Sequence, residues 1–140
     1  MSRPLLRMLD AVTVPVPDLD QGLAFYRDQL GHELLWRNDA VGQAGLRLPE
    51  GSTEIVLTTT LDYAPNWLVK SVDEAVDHVV AAGGHLLAES APIPVGRVAI
   101  VADPFGNPLV LLDLSSGRYA TDSTGRVIGS EGSRPAVKEP

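Results

Sequence analysis

The sequence predicts an α+β fold built from two βαβββ modules. Three observations predict it. A shift of 53 residues carries Val16–Gln21 onto Val69–Glu74, Gly31 onto Gly84, His32 onto His85 and Leu34 onto Leu87. Each copy opens a helix with a capping pattern, Asp18 with Gln21 and Ser71 with Glu74. Each copy then ends that helix on glycine and continues in strand-like runs. A repeated unit of this kind fixes architecture more firmly than any single propensity.

In the first module, about residues 6 to 62, the chain runs extended up to Val16-Pro17. Asp18 then offers a side-chain oxygen to the free amides of a first helical turn, and Gln21 reaches back. Leu19, Leu23, Tyr26 and Leu30 follow at helical spacing. Gly31 supplies the left-handed residue that closes such a helix. Strands are expected over 45–48 and 54–60, joined by the turn Pro49-Glu50-Gly51-Ser52.

The second module, about 63 to 114, repeats the plan. Ser71 caps a helix whose apolar stripe is Val72, Val76, Val79 and Val80, and Gly83-Gly84 ends it. Strands are expected over 97–102 and 108–114, across Asp103-Pro104-Phe105-Gly106-Asn107. Two such modules can stabilise each other by packing curved sheets around a shared cavity. From Ser115 the chain turns polar. A hairpin of Arg118–Thr121 with Arg126–Ile128 is expected across Asp122-Ser123-Thr124-Gly125, and disorder beyond Gly129.

Composition narrows the function. The chain of 140 residues is 44% apolar, enough to bury a core. It has no cysteine, which excludes disulfides, thiolate metal sites and cysteine nucleophiles. A net charge of −7 with no basic stripe argues against a nucleic-acid partner. The longest apolar run, Val98–Ala102, is too short to cross a bilayer, and Met1–Asp10 lacks a signal-peptide core, so no membrane role and a cytoplasmic location are expected.

Val16-Pro17-Asp18-Leu19-Asp20, Phe25-Tyr26-Arg27-Asp28 and Leu30-Gly31, with Asp103-Pro104-Phe105-Gly106-Asn107 near the end, resemble the vicinal oxygen chelate superfamily of glyoxalases, bleomycin-resistance proteins and extradiol dioxygenases. The resemblance covers about residues 6 to 114. It implies a concave sheet face on which enzymes of the superfamily commonly hold a divalent metal with His or Glu. Carried across residue by residue, the first-strand positions are Ala11 and its repeat mate Ala64. The last-strand positions are Val110 and, if the second module has gained one residue, Val56. Alanine and valine have no lone pairs for a metal. The expected metal set is therefore none, and no cofactor is expected.

Glu54 shares a strand face with Val56 and is a weak candidate catalytic base; a strand-end carboxylate in solvent is the plainer reading. No catalytic residue is assigned beyond it. His32, His78 and His85 are expected outside the cavity. Trp36, Tyr63 and Asn66 are candidate lining residues, and Trp67 is expected in the core between sheet and helix. Arg47 and Arg97 are candidates at the cavity mouth, against a solvated face or a pair with a nearby Asp. No nucleophile elbow or phosphate loop is present.

The expected function is metal-independent binding of a small molecule, such as sequestration of a drug or metabolite, by a homodimer. The alternative is a glyoxalase- or dioxygenase-like enzyme, a lyase or isomerase, with a non-standard or absent metal site. A third reading is a regulatory module with no small ligand.

Overall fold

The computed structural model describes residues 4–116, 119–121, 125 and 127–130. The first module runs β1 (Met8–Pro15), α1 (Leu19–Leu23), a π-helical segment (Ala24–Gln29), β2 (Leu34–Asn38), β3 (Gln43–Arg47) and β4 (Glu54–Thr58). The second runs β5 (Ala64–Leu68), α2 (Val72–Ala81), β6 (His85–Ile93), β7 (Gly96–Ala102) and β8 (Pro108–Asp113). The fold is α+β, as the repeat predicts.

All eight strands form one sheet in the order β2-β3-β4-β1-β5-β8-β7-β6. The modules do not face one another as separate sheets. They join edge to edge where β1 runs antiparallel to β5, with Ala11 opposite Asn66 and Thr13 opposite Ala64. The 53-residue shift exchanges these two pairs, so a pseudo-two-fold axis lies in the seam. Within each module the first strand runs parallel to the last, Thr13 beside Val56 and Asn66 beside Val110. Thr13 and Asn66 are repeat mates, so Val56 corresponds to Val110, and the extra residue of module two lies before β8.

The helices start and stop for local reasons. Asp18 accepts a hydrogen bond from the Gln21 amide at 2.8 Å, and Ser71 Oγ accepts one from the Glu74 amide at 3.3 Å. Gly31 and Gly83 have φ of 88° and 106°, a region that costs other residues strain. Both helices cover one face of the sheet. Leu19 and Leu23 pack on Ala44, Leu46 and Leu57, while Val72 and Ala75 pack on Ala99, Val101 and Leu111.

Two details depart from the helical spacing. The first helix widens into a π-helical turn, with the Leu30 amide donating to the Phe25 carbonyl five residues back at 2.9 Å. Each residue then turns through less than the α-helical angle, so Tyr26 stays on the core while Leu30 swings out and is 52% exposed. On α2, Val80 lies about 90° from the centre of the buried stripe and is exposed; Ala75 takes its place.

In the tail, β9 (Tyr119–Thr121) and β10 (Val127–Ser130) pair antiparallel. The Gly125 carbonyl accepts from the Arg37 amide of β2 at 2.7 Å. The turn at 122–124 and the disorder expected past Gly129 fall on residues outside the described ones, apart from Gly129 and Ser130, which belong to β10.

Candidate functional site

The sheet face opposite the helices holds a cavity of about 480 Å³. Strand alternation decides its lining. Ala44 and Leu46 face the helices, so Gln43, Gly45 and Arg47 face the cavity; Leu57 points to α1, so Glu54 and Val56 point away. In module two, Ala99, Val101 and Leu111 are helix-side, which leaves Val98 and Leu112 on the cavity wall.

Of the sequence candidates, Ala11, Trp36, Arg47, Glu54, Val56 and Asn66 line this cavity. Ala64 and Val110 share its face along the seam but do not line it. Tyr63 does not line it either. It sits just before β5 and is 72% exposed. Of the two readings for Arg97, the structure has the pair with a nearby Asp and not the cavity mouth: with Val98 turned to the cavity, Arg97 points to the helix side, where its Nε donates to Ser90 Oγ at 2.7 Å and lies 3.6 Å from Asp73. Trp67 packs in the core under α2, with its indole N–H sealed and unpartnered among the described residues.

Glu54 is not a carboxylate in open solvent. Its Oε1 accepts from Trp36 Nε1 at 2.9 Å. Trp36 stands on β2 and Glu54 on β4, so the indole must cross β3 to reach it. It crosses at Gly45. A Cβ there would lie 2.2 Å from Nε1 and 2.8 Å from Oε1. A register irregularity between Leu34 and Trp36 brings both Leu35 and Trp36 to the cavity. Arg47 lies in register beside Glu54, and its Nε donates to Glu33 at 3.1 Å near the mouth.

This polar group exists in one module only. The register equates Trp36, Gly45, Glu54 and Arg47 with Ala88, Ile100, Pro108 and Ala102 in module two. The cavity therefore has a polar half and an apolar half. On the seam between them, Asn66 is buried, and its Nδ2 donates to the Ala64 carbonyl at 3.1 Å. Thr13, its repeat mate, donates its hydroxyl to the Asp62 carbonyl at 2.7 Å.

Asp10, Thr13, Gln43 and Leu61 also line the cavity and were not singled out from the sequence. Thr13 was within reach there, because the 53-residue shift pairs it with Asn66. Asp10 was not: the β1–β5 register breaks between Leu9 and Ala11, and alternation alone would turn it away.

The positions implied to hold metal in the superfamily, Ala11, Ala64, Val56 and Val110, lie within two neighbouring cross-strand rows. One is Glu54, Ala11, Asn66, Val110, and the other is Val56, Thr13, Ala64. Glu54 alone brings a strong ligand. Among the described residues no three His, Cys, Asp or Glu side chains gather as a metal would need. His78 and His85 are exposed on the outside, and His32 Nδ1 contacts the Arg47 carbonyl at 3.1 Å. These residues do not fit a resident metal.

The Glyoxalase/Bleomycin resistance protein/Dioxygenase superfamily model matches residues 8–111. No curated protein matches the chain. Among solved structures, methylmalonyl-CoA epimerase from Mycobacterium tuberculosis is similar at 22% identity, over 81% of this chain and 91% of that one, with a TM-score of 0.64. Methylmalonyl-CoA epimerase from Streptomyces coelicolor, bound to 2-nitronate-propionyl-CoA, is similar at 20% identity, over 81% and 97%, with a TM-score of 0.63. A superfamily member from Vibrio splendidus 12B01 is similar at 18% identity, over 74% and 95%, with a TM-score of 0.53. At these identities the structures speak to fold alone. The family model spans well over half of the chain, from β1 into β8, and the chain belongs to the glyoxalase/bleomycin resistance protein/dioxygenase superfamily.

Proposed function

We propose that this protein binds a small organic molecule in the sheet cavity without a metal. One observation carries the reading: a cavity of about 480 Å³ in which the positions expected to hold metal ligands carry Ala11 and Val56, and the one strong ligand, Glu54, receives the Trp36 indole. Concave, mostly apolar pockets of this size with a few placed polar groups suit small molecules. Sequestration of a drug or metabolite fits, since none of the described residues lining the cavity resembles an activated nucleophile.

The test has two arms. Metal analysis of the purified protein, with calorimetry against Ni²⁺, Zn²⁺, Fe²⁺ and Mn²⁺, is expected to find no stoichiometric site. Tight binding of one ion per chain would overturn the metal-free reading. A thermal-shift screen of cationic antibiotics and aromatic metabolites is expected to give saturable stabilisation, which linkage requires of a ligand that prefers the folded state.

A catalytic reading is favoured by one observation, that Glu54 lies in the cavity with Arg47 beside it in register. A carboxylate there would be a base and the guanidinium an electrostatic partner. The similarity to methylmalonyl-CoA epimerases makes methylmalonyl-CoA the natural probe. Enzyme-dependent exchange of its α-proton for solvent deuterium would move the conclusion from binding to catalysis. A homodimer belongs to the same proposal. Exposed Leu86 and Leu87 on the edge strand β6 support it, and sedimentation velocity showing only monomer would remove it.

A further inference from the structure

Asn66 lies on the cavity floor at the seam, with Ala11 on one side and Val110 on the other. It is 9% exposed. Its Nδ2 donates to the Ala64 carbonyl at 3.1 Å. That contact fixes the amide, because flipping it would set two acceptors against each other. The remaining atom, Oδ1, accepts no hydrogen bond among the described residues. It is not sealed either, since Trp67 Nε1 is the one sealed and unpartnered side-chain polar atom among them. Oδ1 therefore opens into the cavity that Asn66 lines.

The surroundings restrict what can meet it. Thr13, the repeat mate of Asn66, already donates its hydroxyl hydrogen bond to the Asp62 carbonyl. On the module-two side the wall is apolar, formed by Val95, Val98, Leu112 and Leu114. A buried acceptor left unmatched by a ligand loses its hydration without compensation, so it discriminates strongly for a donor.

We propose that Asn66 is the specificity-determining residue of the cavity. The ligand class is a compact apolar or aromatic molecule carrying an N–H or O–H group. That group is seated on Asn66 Oδ1, and the apolar body lies along the module-two wall. The proposal rests on the binding reading above and gives it a chemical class and an orientation.

Calorimetry on the full chain with naphthol and its methyl ether tests it, with indole and N-methylindole as a second matched pair. Each pair shares a body and differs in one donor. In the wild type the donor of each pair is expected to bind about five- to tenfold more tightly. Asn66→Leu, close in volume, is expected to abolish that difference within each pair. In NMR spectra of the wild type, the Asn66 side-chain amide signals are expected to shift with naphthol and much less with the ether, so the test does not depend on the variant folding.

Equal binding within both pairs in the wild type overturns the role of Asn66 and leaves the binding reading standing. A preference that survives in folded Asn66→Leu does the same. Failure of all four probes, together with a thermal-shift screen without a hit, overturns the binding reading itself and the inference with it.

Discussion

The Trp36 indole donates to the Glu54 carboxylate at 2.9 Å by passing directly over Gly45. Three adjacent strands contribute one residue each, and the middle one has no side chain. The arrangement defines the polar half of the cavity. It also gives module one a property that the repeat does not pass to module two, where Ile100 stands in the place of Gly45.

Gly45→Ala is expected to displace the indole, because the new Cβ would sit 2.2 Å from Nε1. The atoms in the way belong to side chains, so the sheet survives and the hydrogen bond is lost. A stability loss of about 1–3 kcal/mol is expected in denaturant titration. A red shift of tryptophan emission should accompany it. An unchanged spectrum and stability would show that the indole has another resting place.

Asp113 joins module two to its own helix. It is 3% exposed and accepts from the Val72 amide at 2.8 Å, the Arg97 amide at 3.1 Å and Ser115 Oγ at 2.8 Å. Burial alone would raise its pKa, but the hydrogen bonds from Val72, Ser115 and Arg97 outweigh burial and hold it below the ordinary carboxylate value. A folded-state pKa below the unfolded one contributes stability that is present above about pH 4 and lost as pH falls below it. Asp113→Ala is expected to cost about 2–4 kcal/mol at pH 7, because the Val72 and Arg97 amides lose their acceptor. The gap between wild type and variant should narrow in acid. A gap that stays constant down to pH 3 would remove the charge from the explanation.

Arg97→Ala is expected to leave naphthol affinity unchanged and to alter stability by no more than about 0.5 kcal/mol. Its partner Asp73 is 65% exposed, and exposed pairs contribute little. A clear loss of ligand binding would place the Arg97 side chain on the wrong face.

Val98→Asp is expected to weaken naphthol binding by about tenfold or more, because it puts a charge on the apolar wall. Circular dichroism and a thermal melt should confirm that the variant folds. Unaltered affinity in a folded variant would move the ligand's body to another part of the cavity.

Sequence alone determined the modules, their helix caps at Asp18 and Ser71, and their glycine stops. These are local matters: a side chain and an amide three residues apart, or a φ near +90°. The repeat also aligned Ala11 with Ala64, and so placed apolar residues where a metal ligand was implied. Tertiary structure decided which faces meet. In β7 both faces are apolar, Val98 and Ile100 against Ala99 and Val101, so no alternation marks which face Arg97 shares. The register irregularities beside Asp10 and Leu35 add residues to the cavity that a strict period of two sends elsewhere. Glu54 looked like a solvated strand end because its partner is 18 residues away on a strand that is not its neighbour. Only the folded sheet brings Trp36 across Gly45 to meet it, since a contact between second-neighbour strands depends on the register of both pairings at once.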